Sequence, residues 1–297
     1  MYRDYKIVAF VPAGREQVLK VLSKNLMRFQ GVLDRVQLWR NTEDEEDLAY
    51  IDQLGRNPLF DVIPYPEGEE WHGPSNDQPI QLNTGRWYKQ TIEPDTIYVR
   101  FDDDIVYIHD DYFKNILDFR IDNPEYFLVF GNIWNNAIIS YYQQQEGNID
   151  TDHGVVEKPY CMDMIGWGDP YFAEYIHTLL LKKIEEDKVE DLYIDNYPLE
   201  TGHRFSISNF CFFGKDFAKF NGELDQDDEE IWLTGTYPKR KGFKNIICGN
   251  ALVSHLTFSP YQKQYILEDT DIAERYEELS EELLSKGYYN LLNKKVK

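Results

Sequence analysis

Asp102, Asp103 and Asp104 stand in a row between two apolar runs, Ile97-Tyr-Val-Arg-Phe101 and Ile105–Ile108. Both runs are rich in the β-branched and aromatic residues of buried strands. Three carboxylates at the end of such a strand are costly unless a cation or hydrogen-bond donors meet them. A hard divalent ion fits best, because magnesium, manganese and calcium take carboxylate oxygens as ligands. The position fits as well, since ligands of open α/β sheets gather at the carboxyl ends of strands. The competing reading is an acidic turn at the surface of an acidic protein.

Two further clusters lie far along the chain, Asp227–Glu230 and Ser254-His255. Each follows or interrupts an apolar run, so all three clusters can sit at one sheet edge. Together they supply oxygen ligands for a cation, a carboxylate able to take a proton and a neutral imidazole. Each also has a plainer role. His255 could be a core histidine, Asp227–Glu230 a helix start favoured by the dipole, and Arg15 an exposed helix residue. His109, His153, His177 and His203 have no spacing that suggests a metal site.

The elements that must position these residues follow from the pattern. Lys6–Val11 reads as a strand, Pro12-Ala-Gly14 as a turn, and Arg15–Phe29 as an amphipathic helix. The turn is neither a Walker loop nor G-x-G-x-x-G, though one glycine there still lets backbone N–H groups approach a ligand. Arg35–Arg40 is a second strand, followed by a helix with Thr42 as N-cap and Glu45 completing a capping box. Asp61–Ile63 is a short strand, Pro64–Pro79 a loop of the kind that serves as a lid, and Asn83–Thr91 a short helix.

After the aspartates come a helix over His109–Ile121 and a buried strand, Tyr126–Phe130, ending in Gly131–Asn136. There Asn132, Asn135 and Asn136 could bond sugar hydroxyls and Trp134 could stack on a sugar face, although strand-end loops favour Asn in any case. Pro170–Glu186 is helical, and Phe205–Phe213 alternates like a strand with one wet face. Asn245–Cys248 and Ala251–Phe258 read as two strands, and the tail from Glu268 as a helix bracing the domain. Strand and helix alternate, which predicts an α/β domain with a largely parallel sheet.

Length and composition narrow the function. The 297 residues suffice for a large core, and 42% hydrophobic content argues for a folded chain. A net charge of −22 disfavours nucleic acid and anionic membranes as partners. Cys161, Cys211 and Cys248 are odd in number and widely spaced, as expected of buried thiols in a reducing compartment. No run reaches the ~18 apolar residues of a membrane span, and the N-terminus lacks a signal-peptide pattern. The expected location is cytoplasmic.

The chain resembles glycosyltransferases of the GT-A type, with a D-x-D motif and nucleotide-sugar donors. The likeness covers most of the length and rests on KIVAFVPAGR, YVRFDDDIVYI, GNIWNNA, RFSIS, DDEEIWLT and ALVSHLTFSPY, in that order. It implies a GT-A-like, Rossmann-type α/β fold, with a mixed, mostly parallel sheet flanked by helices. That fold would be a single domain, residues 1–265, with a C-terminal helical tail over 266–297. Residues 1–138 would bind the nucleotide sugar, and residues 139–265 would bind the acceptor and complete the metal site.

By the same resemblance, Pro12, Gly14 and Arg15 line the nucleotide pocket, Asn41 helps read the base or ribose, and Arg100 joins the donor-binding residues. Asp102 or Asp103 meets the ribose, the triple Asp leaving that register open. Asp104 binds the Mn2+ or Mg2+ ion bridging the diphosphate, with Asp102 and His255 as further ligands. Asp228 or Glu229 faces the acceptor hydroxyl, and Asn132, Trp134 and Asn135 contact sugar. The partners implied are a UDP- or GDP-linked sugar donor and a glycan or other hydroxyl acceptor. A carboxylate opposite the leaving group gives inversion, and its absence gives retention.

Two other readings compete. Asp102-x-Asp104-x-Val106 matches the nucleophile motif of haloacid-dehalogenase-type phosphohydrolases, with Asp102 as phosphoryl acceptor and Asp104 as general acid. That motif usually lies on the first strand of its fold, whereas here about 95 residues precede it. A non-catalytic carbohydrate-binding protein would keep the fold and lose turnover.

Overall fold

The computed structural model describes residues 1–66, 85–224, 228–290 and 293–296. The loop read over Pro64–Pro79 lies mostly outside them, as do Asn83, Thr84 and Asp227. One mixed sheet holds the domain together. Its strands are β1 (Lys6–Ala13), β2 (Arg35–Arg40), β3 (Phe60–Ile63), β4 (Thr96–Phe101), β5 (Ile105–Ile108), β6 (Tyr126–Trp134), β7 (Tyr197–Pro198), β8 (Asn209–Phe213) and β9 (Lys244–His255). They lie in the order β3-β2-β1-β4-β8-β6-β9-β5, with β7 paired to β9. β3, β2, β1, β4, β6 and β9 run one way, and β8, β5 and β7 run against them. The sheet is therefore mostly parallel and flanked by helices, as expected. Its halves share one hydrogen-bonded ladder, so the chain is a single domain.

Two cores cover it. The larger joins β1, β2, β4, β6 and β8 to Leu19, Leu22 and Leu26 of the helix Glu16–Arg28 and to Ile116 and Leu117 of the helix Tyr112–Asp122. The smaller packs the helices Pro170–Glu185, Pro260–Glu268 and Ile272–Ser285 on Val106, Trp134, Leu252 and Leu256. The expected tail boundary at 266 falls inside the helix Pro260–Glu268, whose Ile266 is buried. Among the described residues no helix is long and apolar enough to cross a membrane.

Several local expectations need correction. The helix Glu45–Leu54 is capped by Asp44, whose Oδ1 accepts from the N–H groups of Glu46 (2.9 Å) and Asp47 (3.1 Å). Thr42 instead accepts from Asp44 N–H. A carboxylate serves this end better than a hydroxyl because it adds charge to the helix dipole. β8 begins only at Asn209 and has no wet face, since β4 and β6 flank it and helices cover the sheet. The two strands read over Asn245–Phe258 are one, Lys244–His255, whose register against β6 shifts around Gly249. The helix Ala137–Gln145 was not legible, because its cap, Asn136, also suits a strand-end loop.

His177 ties the C-terminal helices to the end of β9. Its Nε2 lies 2.9 Å from the Leu256 carbonyl and its Nδ1 3.0 Å from the Tyr276 hydroxyl. Burial pushes its pKa down to about 4, against about 6.5 in an unfolded chain. Between those values the unfolded chain binds the extra proton, so stability falls as the pH drops from about 6.5 to 4. The loss expected from this residue is about 3 kcal/mol. Urea denaturation at pH 7 and pH 4.5 checks it: His177→Gln should show a shallower acid loss than the parent, and an identical loss would assign the effect to carboxylates.

Candidate metal and donor-binding site

Strand register explains why distant acids meet. β1 and β4 are parallel, with Phe10 opposite Arg100, so Gly14 just past β1 lies beside the aspartates just past β4. Gly14 N–H donates to Asp103 Oδ2 at 3.1 Å. A Cβ on Gly14 would sit 2.6 Å from the Asn41 carbonyl oxygen, so the turn has no room for a side chain. On the far side of the site, β5 pairs antiparallel to β9 with Ile105 opposite His255. Leu256 N–H donates to the Asp104 carbonyl at 2.9 Å, which locks that junction.

Asp102, Asp104 and His255 each offer a ligand atom, and these atoms lie within 4.8 Å of one another. His255 Nε2 is 3.0 Å from Asp104 Oδ1, yet the two lack hydrogen-bond alignment and Oδ1 accepts no hydrogen bond. Among the described residues six buried side-chain polar atoms lack a hydrogen bond. Five of them, on Arg40, Asn41, Asp104, Asn135 and His255, belong to residues at the carboxyl ends of β2, β4, β6 and β9. Unpaired buried groups are rare in folded proteins, and all but one of these fall along the edge of the sheet where Asp104 and His255 meet. Two carboxylates and an imidazole suit Mn2+ or Mg2+, and the imidazole favours the transition metal.

Arg15 is turned to the acids and is not a free helix residue. Its Nε donates to Asp103 Oδ1 at 3.0 Å, and its Nη2 lies 3.0 Å from Asp104 Oδ2. Burial opposes ionisation of Asp104, but the Arg15 guanidinium and then His255 hold its carboxyl well below the usual carboxylate range. Burial wins at Asp103, which is raised despite Arg15.

The other expected contacts sit elsewhere. Arg100 is buried, bonding Asp102, Glu229 and Tyr88. Glu229 is 1% exposed and is the acid Arg100 holds, so the structure does not bring it to the surface of the cleft. Asp228 is more open; it caps Ile231 N–H at 2.9 Å and lies 3.6 Å from Arg204. Asn132, Trp134 and Asn135 are 0–1% exposed. Asn132 Nδ2 donates to the carbonyls of Leu192 and Gly249, Trp134 Nε1 to that of Ile176, and Asn135 Nδ2 to that of Leu256. These groups face the interior, where their polar atoms hold β6 to its neighbours. Asn136 caps a helix.

Sequence reasoning missed Tyr88 and Arg204. Arg204 pairs with Glu230, whose carboxyl burial raises against that partner. Arg204 opens the quoted RFSIS stretch; its charge there was the available signal. Tyr88 carried none.

No family model and no curated protein matches the chain. Among solved structures it is similar to CMP:2-keto-3-deoxy-manno-octonic acid synthetase complexed with CTP, at 10% identity and a TM-score of 0.41, covering 82% of this chain and 88% of that one. It is similar to glucosyl-3-phosphoglycerate synthase from Mycobacterium tuberculosis in complex with phosphoglyceric acid, at 12% identity and a TM-score of 0.36, covering 62% and 67%. A third likeness is to 4-diphosphocytidyl-2C-methyl-D-erythritol synthase from Anaerococcus prevotii, at 12% identity and a TM-score of 0.30. That match takes in 43% of this chain and spans 55% of the other. Likenesses this distant carry no argument about chemistry, which rests on the side chains above.

Proposed function

We propose that the chain is a metal-dependent glycosyltransferase, moving a sugar from a UDP- or GDP-linked donor to the hydroxyl of a glycan or other acceptor. The observation that carries the reading is the triad Asp102, Asp104 and His255, with ligand atoms within 4.8 Å of one another and His255 Nε2 3.0 Å from Asp104 Oδ1. Those three residues would hold Mn2+ or Mg2+, which when bound offsets the charge that develops on a leaving nucleoside diphosphate.

The remaining residues have roles of their own. Pro12 near the end of β1 and Gly14 just past it would line the donor pocket, with Gly14 letting the chain pass close to the Asn41 carbonyl. Asn41 offers an unsatisfied oxygen to an N–H or O–H of the nucleoside. Asp103, bonded to both Gly14 and Arg15, orients the guanidinium where diphosphate charge collects. On the acceptor side Asp228 is the carboxylate we assign to take the hydroxyl proton, because Glu229 is occupied by Arg100. In-line attack with that base gives inversion.

A thermal-shift screen of nucleotide sugars with and without manganese tests the reading. A saturating donor at about 100 times its Kd stabilises by about 2.7 kcal/mol, a rise of about 4 °C for a protein of this size. We expect that rise only when donor and manganese are both present. A shift with manganese alone, and none from any nucleotide sugar, would favour a cation-binding protein without donor chemistry. No manganese response at all would defeat the metal assignment.

A further inference from the structure

We propose that Arg100 is a positioning residue of the metal site, not a contact to the donor, and that Glu229 is its counter-ion, not the base. The inference rests on the metal reading above.

A guanidinium buried at the centre of a sheet is costly unless its N–H groups and its charge are met. Arg100 is 4% exposed, on β4, and all three nitrogens of its fork donate hydrogen bonds. Nε and Nη2 donate to the same oxygen, Asp102 Oδ1, at 3.1 and 3.0 Å. Nη1 donates to the Tyr88 hydroxyl at 2.8 Å and to Glu229 Oε1. The Tyr88 hydroxyl itself donates to that Glu229 oxygen, which closes a ring of three buried groups. The ring of Phe210 lies 5.9 Å from the guanidinium carbon.

This arrangement does two things to Asp102. Two bonds to Oδ1 fix the plane of the carboxylate and leave Oδ2 as the oxygen to ligate. The charge balance also matters. Arg100 alone would repel a cation beside Asp102, but with Asp102 and Glu229 both ionised the group keeps one net negative charge. Glu229 thereby restores the attraction that Arg100 removes. Supporting partners of this kind typically change metal affinity 10–100-fold. A base at Glu229 would need access to an acceptor, and its burial under Arg100 denies that.

The test measures Mn2+ affinity directly, from the electron paramagnetic resonance of free Mn2+, together with melting temperature and turnover. Glu229→Gln keeps the shape and removes the charge, and we expect its Mn2+ affinity to fall about 10-fold. Tyr88→Phe keeps all charges and loosens the guanidinium, so its loss should be smaller, about 3-fold. Arg100→Lys keeps the charge but not the fork and should weaken Mn2+ about 10-fold. If that variant fails to fold, the other two still decide the matter. Unchanged Mn2+ affinity in Glu229→Gln, whether turnover is lost or only the melting temperature falls, overturns the inference and leaves the metal reading intact. A parent protein that binds no Mn2+ overturns both.

Discussion

Asp104→Asn should weaken Mn2+ binding by at least about 100-fold, the upper end of what supporting residues alone contribute, and with it any manganese-dependent binding of a nucleoside diphosphate. The carboxylate is a direct ligand in the proposed triad, and the amide offers a neutral oxygen that a hard cation takes poorly. The fold should survive. The backbone carbonyl of Asp104 still accepts from Leu256 N–H, and Arg15 keeps Asp103 as its partner. Loss of the charge-assisted contact with Arg15 costs about 2 kcal/mol. Isothermal calorimetry with manganese, alone and with UDP or GDP, provides the comparison. An Asn variant that binds manganese as the parent does removes Asp104 from the metal site and leaves it a partner for Arg15.

The second large effect lies away from the acids. Gly249→Ala should cost about 3 kcal/mol and lower the melting temperature by about 5 °C. A Cβ at that position would overlap the carbonyl oxygens of Ile194 and Asp195, which are backbone atoms and cannot swing aside. Gly249 also accepts from Asn132 Nδ2 and donates to Asn196 Oδ1, so any shift spreads into β6 and the segment before β7. Because the same strand ends in His255, manganese affinity should fall along with stability. Gly242→Ala is the control. That residue has φ +69° with open space around it, so only its backbone conformation resists, at about 1 kcal/mol. Equal losses at the two glycines would show that crowding at Gly249 is not the cause.

The parts of this molecule legible in the sequence are those fixed by short-range pattern. β1, the strand running into Asp102, the helix over Pro170–Glu185 and the helix Ile272–Ser285 all follow from apolar periodicity and Gly or Pro punctuation, whereas the expected helical tail to residue 297 gives way to two short paired strands, Tyr288–Asn290 and Asn293–Val296. The meeting of Asp104 with His255 was expected from chemistry, and the Ile105–His255 register supplies its mechanism. What was not legible depends on long-range burial. Asn132 and Trp134 look like surface ligands in a strand-end motif, and only the packing of Leu192, Gly249 and Ile176 against them shows that their polar atoms are used inside. Glu229 and Asp228 are adjacent acids of the same type, and the sequence holds nothing to say which one Arg100 takes. The joining of two apparent strands into β9 likewise depends on Gly249 fitting against a distant backbone.

The pairing of β5 with β9 has a consequence for how the chain is made. Ile105 and His255 are about 150 residues apart, and ribosomes add about 5–20 residues per second. Asp102 and Asp104 therefore leave the ribosome roughly 8 to 30 s before His255. Through that interval β5 has no β9 beside it, and its apolar Ile105–Ile108 edge is open to wrong partners. The helix Ile272–Ser285 comes later still, when Lys24 on the helix Glu16–Arg28 gains Glu277 and Glu281 at 3.7 and 2.8 Å. A cation held by Asp102, Asp104 and His255 would thus join only once β9 has been made, and the early strands of the nascent chain would have to keep their order without it.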